Sequence, residues 1–128
     1  MTAVLHLAIS RDILLTSNDR IHWREKARRT KAIREMALVM ARHERPQKMP
    51  AATCVASVKW SALKRTRDAH NAQPTVKAAI DGIVGDYGLL PSDSDKHLKA
   101  LTFTSKDETH TAPGVVFFLT LTFTEVPA

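Results

Sequence analysis

A single cysteine, Cys54, is all that the 128 residues contain, so an internal disulfide and any zinc site built on cysteine are excluded. Its setting, Ala52-Thr53-Cys54-Val55-Ala56-Ser57-Val58, reads as a buried core thiol. No stretch reaches the roughly 18 consecutive apolar residues that a membrane-crossing helix requires. The opening segment lacks a basic start and an adequate apolar run, and it meets Arg11 and Asp12 at once. A secretory leader is therefore not expected, and the cytoplasm is the expected compartment. Internal repeats, low-complexity tracts and long linkers are missing as well, which predicts a single domain over residues 1–128 with one modest core. Acidic residues are in deficit, 13 against 19 Lys and Arg, for a net charge of +6. A basic surface speeds encounter with phosphate backbones and gains free energy by releasing their counterions, so a polyanionic partner is expected.

Apolar periodicity supplies the elements. Ala3 to Ile9 is short and rich in strand formers, and the run ends near Ser10. Thr16-Ser17-Asn18-Asp19 is turn chemistry with side-chain oxygens able to cap a helix beginning near Ile21. In that helix Ile33, Met36, Ala37 and Met40 recur at helical spacing, and it must end before Pro46. Thr53 to Trp60 alternates as a half-buried strand. A second helix is predicted from about Pro74 to Val84, carrying Val76, Ile80, Ile83 and Val84 inward and stopped by Gly85 and Gly88. His97 to Ser105 and Val115 to Glu125 read as two strands joined by a polar turn. The order predicts an α+β domain, a small mixed sheet with two main helices.

Three features can carry chemistry. Along the first helix Arg20, Arg24, Lys26, Arg28, Arg29, Lys31 and Arg34 are crowded together. At helical spacing Arg24, Arg28 and Lys31 share one flank, with Trp23 and Ala27 on another, which predicts a cationic ridge beside a buried stripe. A solvated helix face would look the same. Next, Asp68 and the late acidic loop with Asp93 and Asp95 offer the oxygen ligands a hard divalent cation takes, although turn decoration and capping also use aspartate there. Finally, Arg67-Asp68-Ala69-His70-Asn71 places an acid, an imidazole and an amide just before a helix N-terminus, with Lys77 about one turn into that helix.

Taken together, Asn18-Asp19-Arg20 with His22-Trp23-Arg24, then Asp68-Ala69-His70-Asn71, Lys77, Asp81-Gly82 and Pro91 to Asp95 resemble the ordered motifs of the RusA family of Holliday junction resolvases. The resemblance, in a form like that of phage and actinobacterial members, covers most of the chain from Asn18 to about Leu98. It departs at His70, where the family usually has the second aspartate of its central motif, and in the wider spacing from Asn71 to Lys77.

The resemblance implies a homodimeric endodeoxyribonuclease that resolves four-way DNA junctions with Mg2+, or with Mn2+. A two-fold dimer suits such a substrate because paired nicks need two equivalent sites. It further implies catalytic roles for Asp68, His70, Lys77 and Asp93 or Asp95, the metal being held by Asp68, His70 and one of the late-loop acids. Counting back from His97 favours Asp95, and counting forward from Asp81 favours Asp93. Branched DNA would meet Asn18, Arg20, Arg24, Arg28, Lys31, Lys64, Arg65, Arg67 and Asn71, phosphate contacts fixing position without reading sequence. No organic cofactor and no membrane partner are expected. The competing expectation is a non-catalytic accessory protein that binds branched DNA and has lost its active site through His70.

Overall fold

Strict alternation makes the first strand: β1 (Thr2–Ser10) buries Ala3, Leu5, Leu7 and Ile9 and turns the residues between them outward. The computed structural model describes residues 1–17, 20–60, 69–105 and 115–127, with residues 69, 70 and 115–117 described by their backbone alone. β2 (Ala52–Trp60) buries Cys54, Ala56, Val58 and Trp60 on the same principle, and β4 (Val115–Glu125) buries Leu119, Leu121 and Phe123. These inward rows face two helices, α1 (Trp23–Glu44) and α2 (Gln73–Ile80), which pack on each other. No helix among the described residues is long and apolar enough to cross a membrane.

The four strands form one mixed sheet in the order β1-β4-β2-β3, where β3 is Leu98–Ser105. β4 runs antiparallel to both β1 and β2, and β3 runs parallel to β2. The expected α+β class, with a small mixed sheet and two main helices, is what the chain adopts. The two last strands, however, are not neighbours: β2 lies between them. A parallel strand needs a crossover from its partner, and here α2 with its flanking turns supplies it. The polar segment predicted to join β3 and β4 lies outside the described residues.

α1 presents Ile33, Ala37 and Ala41 to the core, with Met36 and Met40 partly buried beside them. Its start differs from the capping expected of Thr16 to Asp19. The helix begins at Trp23, and the His22 side chain does the capping, Nδ1 accepting from the Arg24 N–H at 3.1 Å. Trp23 and Ala27 do not form a buried stripe either. Both are exposed, Trp23 at 68%, because Ile33, Ala37 and Ala41 define the face turned to the core and Trp23 and Ala27 lie off it.

α2 opens with Pro74 in its first turn, as its fixed φ allows, and continues into a wider π turn, Asp81–Tyr87. Gly85 sits within that turn and does not end it. Gly88 does, with φ of 87° and its N–H directed to the Ile83 carbonyl.

Candidate functional site

α2 and the loop after it bring together residues far apart in sequence. Val76, Ala79 and Ile80 anchor one side of α2 in the core, which leaves Lys77 exposed on the other. Asp81, one turn on, accepts from the Lys77 ammonium at 2.8 Å. Asp93 of the late loop accepts a second hydrogen bond from the same nitrogen. The ammonium thus lies between two carboxylates supplied by different segments. Its pKa is raised by the hydrogen bonds it donates to Asp81 and Asp93, so it is a cation throughout the neutral range. The Asp93 carboxyl is held below its ordinary value chiefly by the hydrogen bond from Lys77.

Serine and histidine side chains shape the late loop. Ser92 Oγ lies 2.8 Å from Ser94 Oγ and 2.7 Å from His97 Nδ1, and it accepts from the Ser94 N–H at 3.2 Å. The His97 N–H donates to the Ser94 carbonyl at 2.9 Å. Such side-chain bonds to nearby backbone substitute for a regular turn and fix which residues point where. The result directs Asp93 to Lys77, while Asp95 is exposed and takes no part in the cluster.

The central motif leads directly into this region. His70 and Asn71 lie in a 3-10 turn, Ala69–Ala72, immediately before α2. The Asn71 carbonyl accepts from the Ser17 N–H at 2.9 Å, which ties the turn to the segment before α1. Thr75 strengthens that tie: its buried hydroxyl accepts from the Leu15 N–H at 2.9 Å and donates to the Leu15 carbonyl at 2.7 Å. Asp68 and the side chain of His70 lie outside the described residues, as do Asn18, Lys64, Arg65 and Arg67. Among the described residues no three His, Cys, Asp or Glu side chains are grouped to hold a metal ion.

The basic residues of α1 divide into two sets. Arg28 is engaged: it pairs with Glu25 at 2.5 Å and donates to the Asp12 carbonyl at 3.0 Å. Arg29 also donates to Glu25 and to the Leu14 carbonyl, and Arg34 forks onto Asp86 at 2.6 and 2.8 Å. Arg28 and Arg29 together hold the Glu25 carboxyl down to about 2. Arg20, Arg24, Lys26 and Lys31 are exposed, and among the described residues Lys31 has a nearby carboxylate, Glu35 at 3.9 Å. The crowded charge run therefore serves partly to fasten α1 and partly to present exposed cations, a division that spacing alone does not reveal.

Asp81 is the residue the sequence reading named without assigning it a role. Its signal was there, since an acid four residues after a lysine in a helix is placed to pair with it. No protein-family model matches the chain, and no curated protein matches it.

Proposed function

We propose that this chain is a divalent-metal-dependent endonuclease acting on branched DNA, four-way junctions included, as a homodimer. The observation carrying the reading is the Lys77 ammonium held against Asp93 and Asp81 beside the turn that contains His70 and Asn71. A cation and ionised carboxylates beside a basic helix are the chemical parts that metal-assisted phosphodiester hydrolysis calls for.

The donor set fits a hard cation. Mg2+ commonly takes one or two protein carboxylates and keeps water and substrate phosphate as its other ligands, and Asp81 and Asp93 are near enough to share one partner. Asp93 would hold the ion together with Asp68, and His70 as a further ligand would widen the choice to Mn2+. When bound, such an ion polarises the scissile phosphate and lowers the pKa of a coordinated water.

The remaining work falls to the chain's own groups. Lys77 supplies a permanent positive charge to the oxygens of the phosphoryl group as negative charge builds on them. Asp81, through its bond to the same nitrogen, positions that lysine. His70 is an alternative base for the attacking water. Arg20, Arg24 and Lys31, with Lys64, Arg65 and Arg67, track phosphates, so binding weakens steeply with salt.

The test is a labelled four-way junction incubated with purified protein in Mg2+ and in Mn2+, with Asp68→Asn, Asp93→Asn and Asp95→Asn run in parallel. Paired nicks from the wild type, lost in Asp68→Asn and Asp93→Asn with junction binding retained, are the expected result. Undiminished cleavage by Asp93→Asn would remove the Lys77 cluster from the site. Binding without product in either metal would leave a branched-DNA-binding accessory protein.

A further inference from the structure

The outward side of α1 carries an indole that the nuclease reading leaves unused. Trp23 is 68% exposed, the most exposed of the large apolar side chains among the described residues. It opens a shallow groove lined also by Lys26, Ala27, Thr30, Lys31 and Arg34. The Arg24 guanidinium lies over the indole, 5.2 Å from the ring centroid, and the His22 ring lies 5.6 Å from it at an angle of 30°. An indole ringed by arginine and lysine, with an alanine among the groove's lining, combines a flat apolar surface with surrounding positive charge. Glu35 and Asp86, each already beside a cation of this face, are the acids that temper it.

We infer that this face binds an unpaired nucleobase of branched DNA, the base stacking on Trp23 while Lys26 and Lys31 meet the flanking phosphates. The inference rests on the nucleic-acid reading of the chain but not on its catalytic part. Charge complementarity selects the occupant. Every base has a π-face that an exposed aromatic can receive, and the connecting backbone is the polyanion that the surrounding cations attract. Duplex DNA offers no free base face away from its ends, whereas junction centres and forks do. Trp23 would accordingly discriminate branched or single-stranded DNA from plain duplex, a selectivity that phosphate contacts alone do not provide.

The experiment exploits the two tryptophans. Trp60 is 1% exposed and Trp23 is 68% exposed, so quenching by a surface ligand reports on Trp23. The full chain is titrated with oligothymidylate of about 16 nucleotides, the upper end of a single-strand site. A fork with unpaired arms and a blunt duplex are titrated in the same way, with binding followed independently by anisotropy of labelled DNA. Quenching with the oligothymidylate and the fork, absent in Trp23→Phe against its own Trp60 emission, is expected. Trp23→Ala should weaken fork binding by about 5- to 150-fold, the span measured for one base–aromatic stack. It should leave duplex affinity and the salt slope unchanged, and Lys26→Ala should reduce that slope instead. Unchanged Trp60 emission and circular dichroism certify the fold of each variant.

DNA bound with Trp23 emission unaltered, or equal fork affinity in Trp23→Ala, would overturn the inference while leaving DNA binding intact. No anisotropy change with any of the three DNAs would overturn the nucleic-acid reading itself. A wild-type dimer mass in light scattering that falls to monomer in Trp23→Ala would assign the indole to a contact between copies and likewise overturn it.

Discussion

A Cβ placed on Gly82 would lie 2.3 Å from the backbone carbonyl oxygen of Arg34, so α1 and the turn following α2 meet backbone to backbone at that point. The same Cβ would be 3.0 Å from Ala37 Cβ, which leaves no flexible neighbour to give way. Gly82→Ala is expected to destabilise the fold by about 1–3 kcal/mol, the usual cost of forcing extra volume into a close-packed contact. Gly85 supplies the control: nothing lies within 4 Å of its added Cβ. Gly85→Ala should be neutral or stabilising by up to about 1 kcal/mol. Urea unfolding of the two variants measures the contrast, and similar losses in both would contradict the close approach.

Thr75 is the link between the segment before α1 and the start of α2. Replacing its hydroxyl by a methyl in Thr75→Val keeps shape but strips partners from the buried N–H and carbonyl of Leu15. A loss of about 1–3 kcal/mol is expected, because a buried polar group left unsatisfied bears its full desolvation cost. Amide exchange at Leu15 should accelerate selectively in the variant. Protection equal to wild type would mean that the bond is not maintained in solution.

The Lys77 cluster should be visible in titrations without any substrate. Lys77→Met removes the main cause of the depressed Asp93 pKa, which should then rise toward its ordinary value of 3.8. Carboxyl carbon chemical shifts followed against pH provide the measurement. The linkage has two limbs. Asp93 has a lowered pKa when folded, so its contribution to stability is present above the ordinary carboxylate range and lost as pH falls through the folded value. Lys77 has a raised pKa, so its contribution is present below 10.5 and lost as pH rises through the folded value. Both limbs should flatten in the methionine variant. An Asp93 titration indifferent to Lys77 would dissolve the cluster.

Cys54 should be inert in the native state. It is 1% exposed, and burial pushes its thiol up to about 12, so thiolate is scarce at neutral pH. A chromogenic aromatic disulfide reagent should label it only as fast as the sheet opens, and at once in concentrated urea. Rapid labelling of the folded protein would place the thiol at the surface.

The elements were legible because their periods are written in neighbouring residues. Leu5, Leu7 and Ile9 alternate, Ile33 and Ala37 are one turn apart, and each pattern commits its face to a core whatever lies opposite. The basic charge and the α+β order were readable on the same ground. In the candidate site, Lys77 and Asp93 were both nominated from residue type and position. The Lys77–Asp81 pair is a local i,i+4 relation that helix spacing carries, whereas the meeting of Lys77 with Asp93 was not legible, because a partner from another segment is not encoded by its distance along the chain.

The sequence by itself therefore determined which segments become strands and helices and which of their faces are apolar, since backbone geometry converts spacing into facing. Tertiary structure decided the rest. It placed β2 between β3 and β4, because alternation of period two satisfies any neighbour equally. It selected Asp93 over Asp95 for Lys77 through the Ser92, Ser94 and His97 bonds that shape their loop, and it left Trp23 in solvent, where no packed element reaches it. Those outcomes depend on which surfaces remain uncovered once the core has formed, a property of the assembled packing that no local run of residues contains.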